Sequence, residues 1–242
     1  EFANGDARSA LSTLEMAVLN GDLEGDVITV NKESLEQCIS KKSLLYDKKG
    51  EEHYNLISAL HKSMRNSDPD AAVYWLARML EAGEDPLYIA RRIVRFSAED
   101  VGLADPRAME ISIAAYQACH FIGMPECSVH LTEAVIYLSL APKSNAVEVA
   151  YLAARKDALE QFAEPPLQIR NAPTRLMKEL NYGKDYEYAH NNPAGLTAME
   201  CLPPSLRGRM YYRPTEHGIE VRCKTRLEQI KQWKKDHGEK EE

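Results

Sequence analysis

Residues 68–107 read DPDAAVYWLARMLEAGEDPLYIARRIVRFSAEDVGLADPR, and three pairs within them decide the fold: Asp68-Pro69, Asp85-Pro86 and Asp105-Pro106. In each, a carboxylate able to accept from the orphan amides of a helix start stands before a proline, which at the first helical position gives up no hydrogen bond. Around these starts the apolar residues recur at helical spacing. Val73, Leu76, Ala77 and Leu80 follow i, i+3, i+4, i+7, as do Leu131, Ala134, Val135 and Leu138, and Val147, Ala150, Tyr151 and Ala154. Tyr54, Ile57, Leu60 and Met64 share one face, and Ala114, Ala115 and Ala118 form a small-residue face suited to close packing. The segment 129–140 is apolar on nearly every side, which suits the centre of a bundle or the underside of a partner subunit. With further breaks at Met124-Pro125 and Ala141-Pro142, residues 50–162 predict an all-α bundle of about six helices.

Helical signals also open the chain. Asp6 is placed to cap a helix through Leu11, Leu14 and Val18 that Asn20-Gly21 ends. Val27 to Val30 is a short extended run, and Asn31 caps a helix through Leu35, Cys38 and Ile39. Because Gly5-Asp6 stands directly before an amphipathic helix, the chain is expected to begin inside a domain. The texture changes at Glu164-Pro165-Pro166. A short helix follows Thr174, residues 181–218 carry many Tyr, Asn, Pro and Gly, and a last helix is predicted from about Arg222 to Lys235.

Of the 242 residues, 44% are hydrophobic and 28% charged, as in soluble globular proteins. No apolar run approaches the ~18–20 residues of a membrane span, which excludes a transmembrane helix. The formal net charge of −7 excludes a chain that is basic throughout, yet Pro165 to Glu242 holds 14 basic against 11 acidic residues. That last third is the part suited to an acidic partner. The five cysteines are odd in number and show no C-x-x-C spacing, which argues against a zinc ribbon or disulfide framework and for buried thiols in a reducing compartment.

No G-x-x-x-x-G-K-[ST] is present: Gly183-Lys184 lacks the upstream glycine, and Asp185 stands where the hydroxyl belongs. Neither G-x-S-x-G nor H-E-x-x-H occurs, and a single E-x-x-H at Glu187–His190 cannot make a di-metal site. Arg91, Arg92 and Arg95 crowd one helix. They read either as a charged face paired internally through Glu99 or as a nucleic-acid or inter-subunit contact. The aromatic and basic residues between Tyr182 and Arg213 suit a tail that packs its rings over the bundle. They equally suit single-strand binding by stacking.

Seven strings in order carry a resemblance. Gly5-Asp6-Ala7-Arg8-Ser9-Ala10-Leu11 resembles the sensor-2 motif in the lid of AAA+ ATPases of the clamp-loader clade. Lys49–Tyr54, Ile57–Ser63, Gly83–Tyr88, Ala98–Gly102, Ala141–Ser144 and Arg170–Thr174 then resemble the C-terminal half of the replication-associated recombination ATPase family, which includes bacterial RarA (MgsA) and the eukaryotic Werner-helicase-interacting protein. The resemblance runs from residue 4 to about 190 and implies an all-α fold. Residues 1–46 would end an AAA+ lid, 47–163 would form a helical oligomerisation collar similar to that of clamp loaders, and 164–242 would form an irregular C-terminal extension packed on it.

The same resemblance implies a homotetramer and, for the full-length protein, a DNA-dependent ATPase using ATP and Mg at replication forks, in the cytoplasm at the nucleoid. The Walker motifs would lie upstream, so this chain is expected to be no enzyme and to hold no cofactor of its own. Arg8 matches the sensor-2 arginine, whose guanidinium reaches the nucleotide phosphates. Arg91, Arg92, Arg95, Arg170 and Lys178 are the expected DNA-binding residues, and single-strand-binding protein is a further expected partner. The alternative is a DNA-contacting or protein-docking helical adaptor.

Overall fold

The computed structural model describes residues 51–238, together with Leu11, Leu14, Glu15, Ala17, Val18, 22–24 and 27–32. The caps expected at Asp6 and the lid helices up to residue 46 lie largely outside these residues. Val27–Thr29 (β2) is a strand, as the extended run predicts, and it pairs antiparallel with Asp22–Glu24 (β1), Leu23 facing Ile28. The partner Asp-Leu-Glu carries no strand signal of its own. Six helices follow between 51 and 160: α1 (Glu51–Arg65), α2 (Pro69–Glu81), α3 (Pro86–Phe96), α4 (Arg107–Phe121), α5 (Cys127–Leu140) and α6 (Ala146–Glu160). The five-residue α7 (Arg175–Glu179) and the long α8 (Glu220–His237) come next, with 3₁₀ turns between them. Among the described residues the fold is all-α apart from the small hairpin.

The three Asp-Pro pairs act as the sequence predicts. The Asp68, Asp85 and Asp105 carboxylates accept from the amides of Ala71, Leu87 and Arg107 at 3.0, 3.0 and 3.1 Å. α2 ends on Gly83, whose φ of +79° is cheap only for glycine. The Gly83 and Glu84 amides then reach back to the Leu80 and Met79 carbonyls, which closes the helix end.

The chain divides into two compact units, one of residues 1–93 and 114–140 and one of 94–113 and 141–242. In the first, α1, α2 and α5 pack on one another. Leu60, Met64, Leu76, Met79, Leu131 and Leu138 are fully buried there, each contributing ~1.5–3 kcal/mol by removal from water. The predicted stripe Leu131–Ala134–Val135–Leu138 of α5 is buried throughout. On α2 the buried stripe is Ala72, Leu76 and Met79, whereas Ala77 of the predicted stripe is exposed. α2 meets both α1 and α5, so its buried line is set by two neighbours and not by the helix's own apolar count.

In the second unit, α6 packs on the turns Ser97–Val101 and Gly102–Ala104. Its buried residues are Ala146 and Asp157. The predicted apolar stripe of α6 is covered only in part: Ala150 and Ala154 are half-buried, whereas Val147 and Tyr151 are exposed, and so are Leu152 and Leu159.

Candidate functional site

Several of the strings singled out by sequence meet in space. His53, from 49–54, places its Nδ1 2.6 Å from the Glu84 carboxylate, with both side chains buried, and its ring lies 4.6 Å from that of Tyr88. Glu84 and Tyr88 both belong to the string 83–88. The pairing satisfies two buried polar groups at once. Burial raises the Tyr88 phenol above its ordinary value against the opposing pull of Arg92.

A second meeting lies in the other unit. The Ser144 amide donates to the Asp100 carbonyl at 2.8 Å, joining 141–144 to 98–102. The Ser144 hydroxyl donates to the Glu220 carboxylate at 2.7 Å. Glu220 is wholly buried at the start of α8 and also accepts from the Thr215 amide (3.0 Å), the Thr215 hydroxyl (2.6 Å) and the Tyr212 hydroxyl (3.0 Å). Burial pushes this carboxyl up, but the bonds from Ser144, Thr215 and Tyr212 outweigh it and hold it below the ordinary glutamate value. Burial and the Glu220 charge together raise the Tyr212 phenol.

Beside this carboxylate, the Ile219 amide donates to the Ala104 carbonyl at 2.8 Å, and His217 Nδ1 lies 2.8 Å from the Lys143 carbonyl. Gly218 sits between them with φ +54°. A third anchor is Asp157, buried on α6. It takes a two-pronged bond from Arg209 at 2.8 and 2.8 Å and a third from Tyr211 at 3.0 Å. The Arg209 bonds hold Asp157 below the ordinary aspartate range. Arg209 and Tyr212 belong to the aromatic and basic stretch that the sequence marks as a whole, but nothing in the sequence points to Asp157, Thr215 or Glu220, because each pairs with a residue that is remote in sequence or hidden in an aperiodic stretch.

Arg8 lies outside the described residues. Arg91, Arg92 and Arg95 share α3. Arg95 pairs with Glu99 and lies 3.7 Å from Glu148, which matches the internally paired reading. Arg91 lies 3.8 Å from Asp85 and over the Tyr88 ring, while Arg92 is half-buried with its Nε unpartnered. Arg170 is held internally by the Pro165 carbonyl, the Glu164 carboxylate and the Tyr182 hydroxyl, with its guanidinium 5.1 Å from the Tyr182 ring. Lys178 stands exposed on α7.

Cys119 and Cys127 are buried thiols, and burial together with a hydrogen bond that the Cys119 thiol donates to Cys127 pushes Cys119 up to about 12. Cys201 is exposed. Among the described residues no group of three or more His, Cys, Asp or Glu is placed to hold a metal ion. Among the described residues no helix is long and apolar enough to cross a membrane.

Comparison with known proteins agrees with this architecture. Residues 1–65 match the family described as AAA C-terminal domain, and residues 66–231 match MgsA AAA+ ATPase C terminal. The chain is 46% identical to the replication-associated recombination protein A of Haemophilus influenzae, over 96% of this chain and 52% of that protein. It is likewise 46% identical to the protein of that name from Escherichia coli K12, over 94% of this chain and 52% of the relative. It is 46% identical to the ATPase WRNIP1 of Dictyostelium discoideum, over 78% of this chain and 24% of that protein. The chain spans about half the length of the bacterial relatives and corresponds to their C-terminal part. With two adjoining matches that cover it almost end to end, the chain belongs to the MgsA AAA+ ATPase family as a C-terminal portion.

Proposed function

We propose that this chain is the homotetrameric collar portion of a DNA-dependent AAA+ ATPase that maintains replication forks in recombination and repair. In this reading residues 1–46 end the lid, 47–163 make the collar and 164–242 pack on it. ATP and Mg are bound by the upstream part of the whole protein, with Arg8 reaching the nucleotide as sensor 2, and the chain alone turns over no nucleotide. The whole protein works in the cytoplasm at the nucleoid, in contact with DNA and with single-strand-binding protein.

The observation that carries the collar reading is the uncovered side of α6. Tyr151, Leu152 and Leu159 are 66%, 50% and 76% exposed on a helix whose sequence has the period of a buried one. Obligate subunit interfaces resemble a core cut in half. Sedimentation over a wide concentration range tests this. A species of about four times the 27.3 kDa chain mass is expected, falling to monomer in Leu152→Glu/Leu159→Glu with helix content unchanged. A wild-type monomer at every concentration would overturn it.

A second reading, DNA contact through α3, is favoured by the exposure of Arg91 on that helix. Arg170 and Lys178 are the further candidates in the basic last third. An affinity for DNA that falls steeply with salt is expected, because phosphate contacts release counterions. An Arg91→Ala/Arg92→Ala variant should weaken binding and flatten that slope.

A further inference from the structure

Five tyrosines lie between Tyr182 and Tyr212, and the structure separates them into two kinds. Tyr182 takes Arg170 on its hydroxyl and near its ring face, Tyr211 donates to Asp157, and Tyr212 donates to Glu220. Those three are anchored in the fold. Tyr186 and Tyr188 are held less: they are 53% and 54% exposed, with the Tyr188 ring tilted against that of His190 at 4.9 Å. Two positions apart on a non-helical segment, both line a groove of about 360 Å³ with Glu187, Asn191, Asn192 and Pro193.

The frame of this groove is fixed by backbone bonds. Gly183 donates to the Leu167 carbonyl at 2.8 Å, Asn191 to that of Tyr188 at 2.9 Å, and Gly195 to that of Asn192 at 2.8 Å. The Asn192 side-chain Oδ1 accepts from the Ala194 amide at 2.8 Å, which leaves the side-chain NH₂ group to donate elsewhere. The groove therefore offers exposed aromatic faces, side-chain amides and one carboxylate acceptor in a small concave space.

We infer that this groove binds single-stranded nucleic acid, stacking a base on Tyr186 or Tyr188 and meeting its edge with the side chains of Asn191, Asn192 and Glu187. A duplex keeps its base faces covered, so only an unpaired strand presents what the tyrosines can stack on. Lys184 is offset by Asp185 and Glu187 nearby, so stacking and not phosphate attraction supplies the affinity here. That the strand in the cell is DNA at a fork rests on the proposed function; the stacking site stands on the groove itself.

The test is titration of a short single-stranded oligonucleotide carrying 2-aminopurine, whose fluorescence is quenched by stacking. The wild-type chain should quench it. Tyr186→Ala/Tyr188→Ala should bind roughly 10- to 100-fold more weakly with the quench lost, by the same factor at low and high salt. Tyr186→Phe/Tyr188→Phe, which keeps both ring faces, should retain affinity and quench. Unchanged affinity in the alanine variant, equal loss in the phenylalanine variant, or uptake of a proline-rich peptide in place of the oligonucleotide would each overturn the inference. If Arg91→Ala/Arg92→Ala weakens binding while the tyrosine variants do not, the DNA reading survives and this site falls. If the wild-type chain binds no oligonucleotide, both fall.

Discussion

Gly218→Ala should unfasten the start of α8, with a loss of ~3–5 kcal/mol in the stability of its unit. A Cβ at this position would stand 2.1 Å from the Ala104 carbonyl oxygen and 2.8 Å from Pro142 Cγ. The obstacle is backbone on one side and a rigid ring on the other, so the chain itself must move. The φ of +54° adds the cost of a left-handed conformation for a residue with a side chain. The Ile219 bond to the same Ala104 carbonyl, 2.8 Å long, would be lost in the shift. Thermal unfolding and proteolysis between α7 and α8 measure the effect. Gly195→Ala is the control: its φ is +65°, and nothing lies within 4 Å of the added carbon, so it should cost only about 1 kcal/mol. Equal losses in the two variants would mean that the close approach to Ala104 does not hold the segment.

This contact could not be read from the sequence, and the reason is physical. Gly218 looks like any turn glycine until Ala104, more than a hundred positions earlier, is brought beside it. What the sequence does reveal is local. The Asp-Pro starts are legible because cap and proline act within one turn of each other. The α5 stripe is legible because a helix that buries one face must repeat its apolar residues. The α6 stripe is equally visible but stays partly uncovered among the described residues, because period alone cannot say whether the partner of an apolar face is the same chain or another.

The string Ala141–Ser144 stands out by resemblance alone. Its purpose, to present the Ser144 hydroxyl to Glu220 across 76 positions, needed coordinates. The tyrosines show the same limit. Composition allowed packing and stacking equally, and only contacts divide Tyr182, Tyr211 and Tyr212 from Tyr186 and Tyr188.

Glu220 should prove as costly to remove as Gly218 is to enlarge. Glu220→Ala leaves the Ser144 and Tyr212 hydroxyls and both Thr215 donors without their shared acceptor, a loss of ~3–5 kcal/mol. Glu220→Gln keeps the shape but turns one acceptor into a donor among donors, and should cost ~1–3 kcal/mol at neutral pH. The two variants also differ from wild type in pH dependence. The folded carboxyl is held below its ordinary value of 4.5, so its contribution is complete above that pH and is lost as pH falls toward the folded value. The gap between wild type and Glu220→Gln should therefore be constant from neutral pH down to about 4.5 and narrow below it. A gap that widens on acidification would mean that the carboxyl is protonated in the folded state, and that the hydrogen-bond network runs in the opposite sense. Because Gly218 and Glu220 fix the same turn onto the same segment, their losses should not add. A double variant should lose less than the sum by ~1–3 kcal/mol, since the first substitution already frees what the second would release.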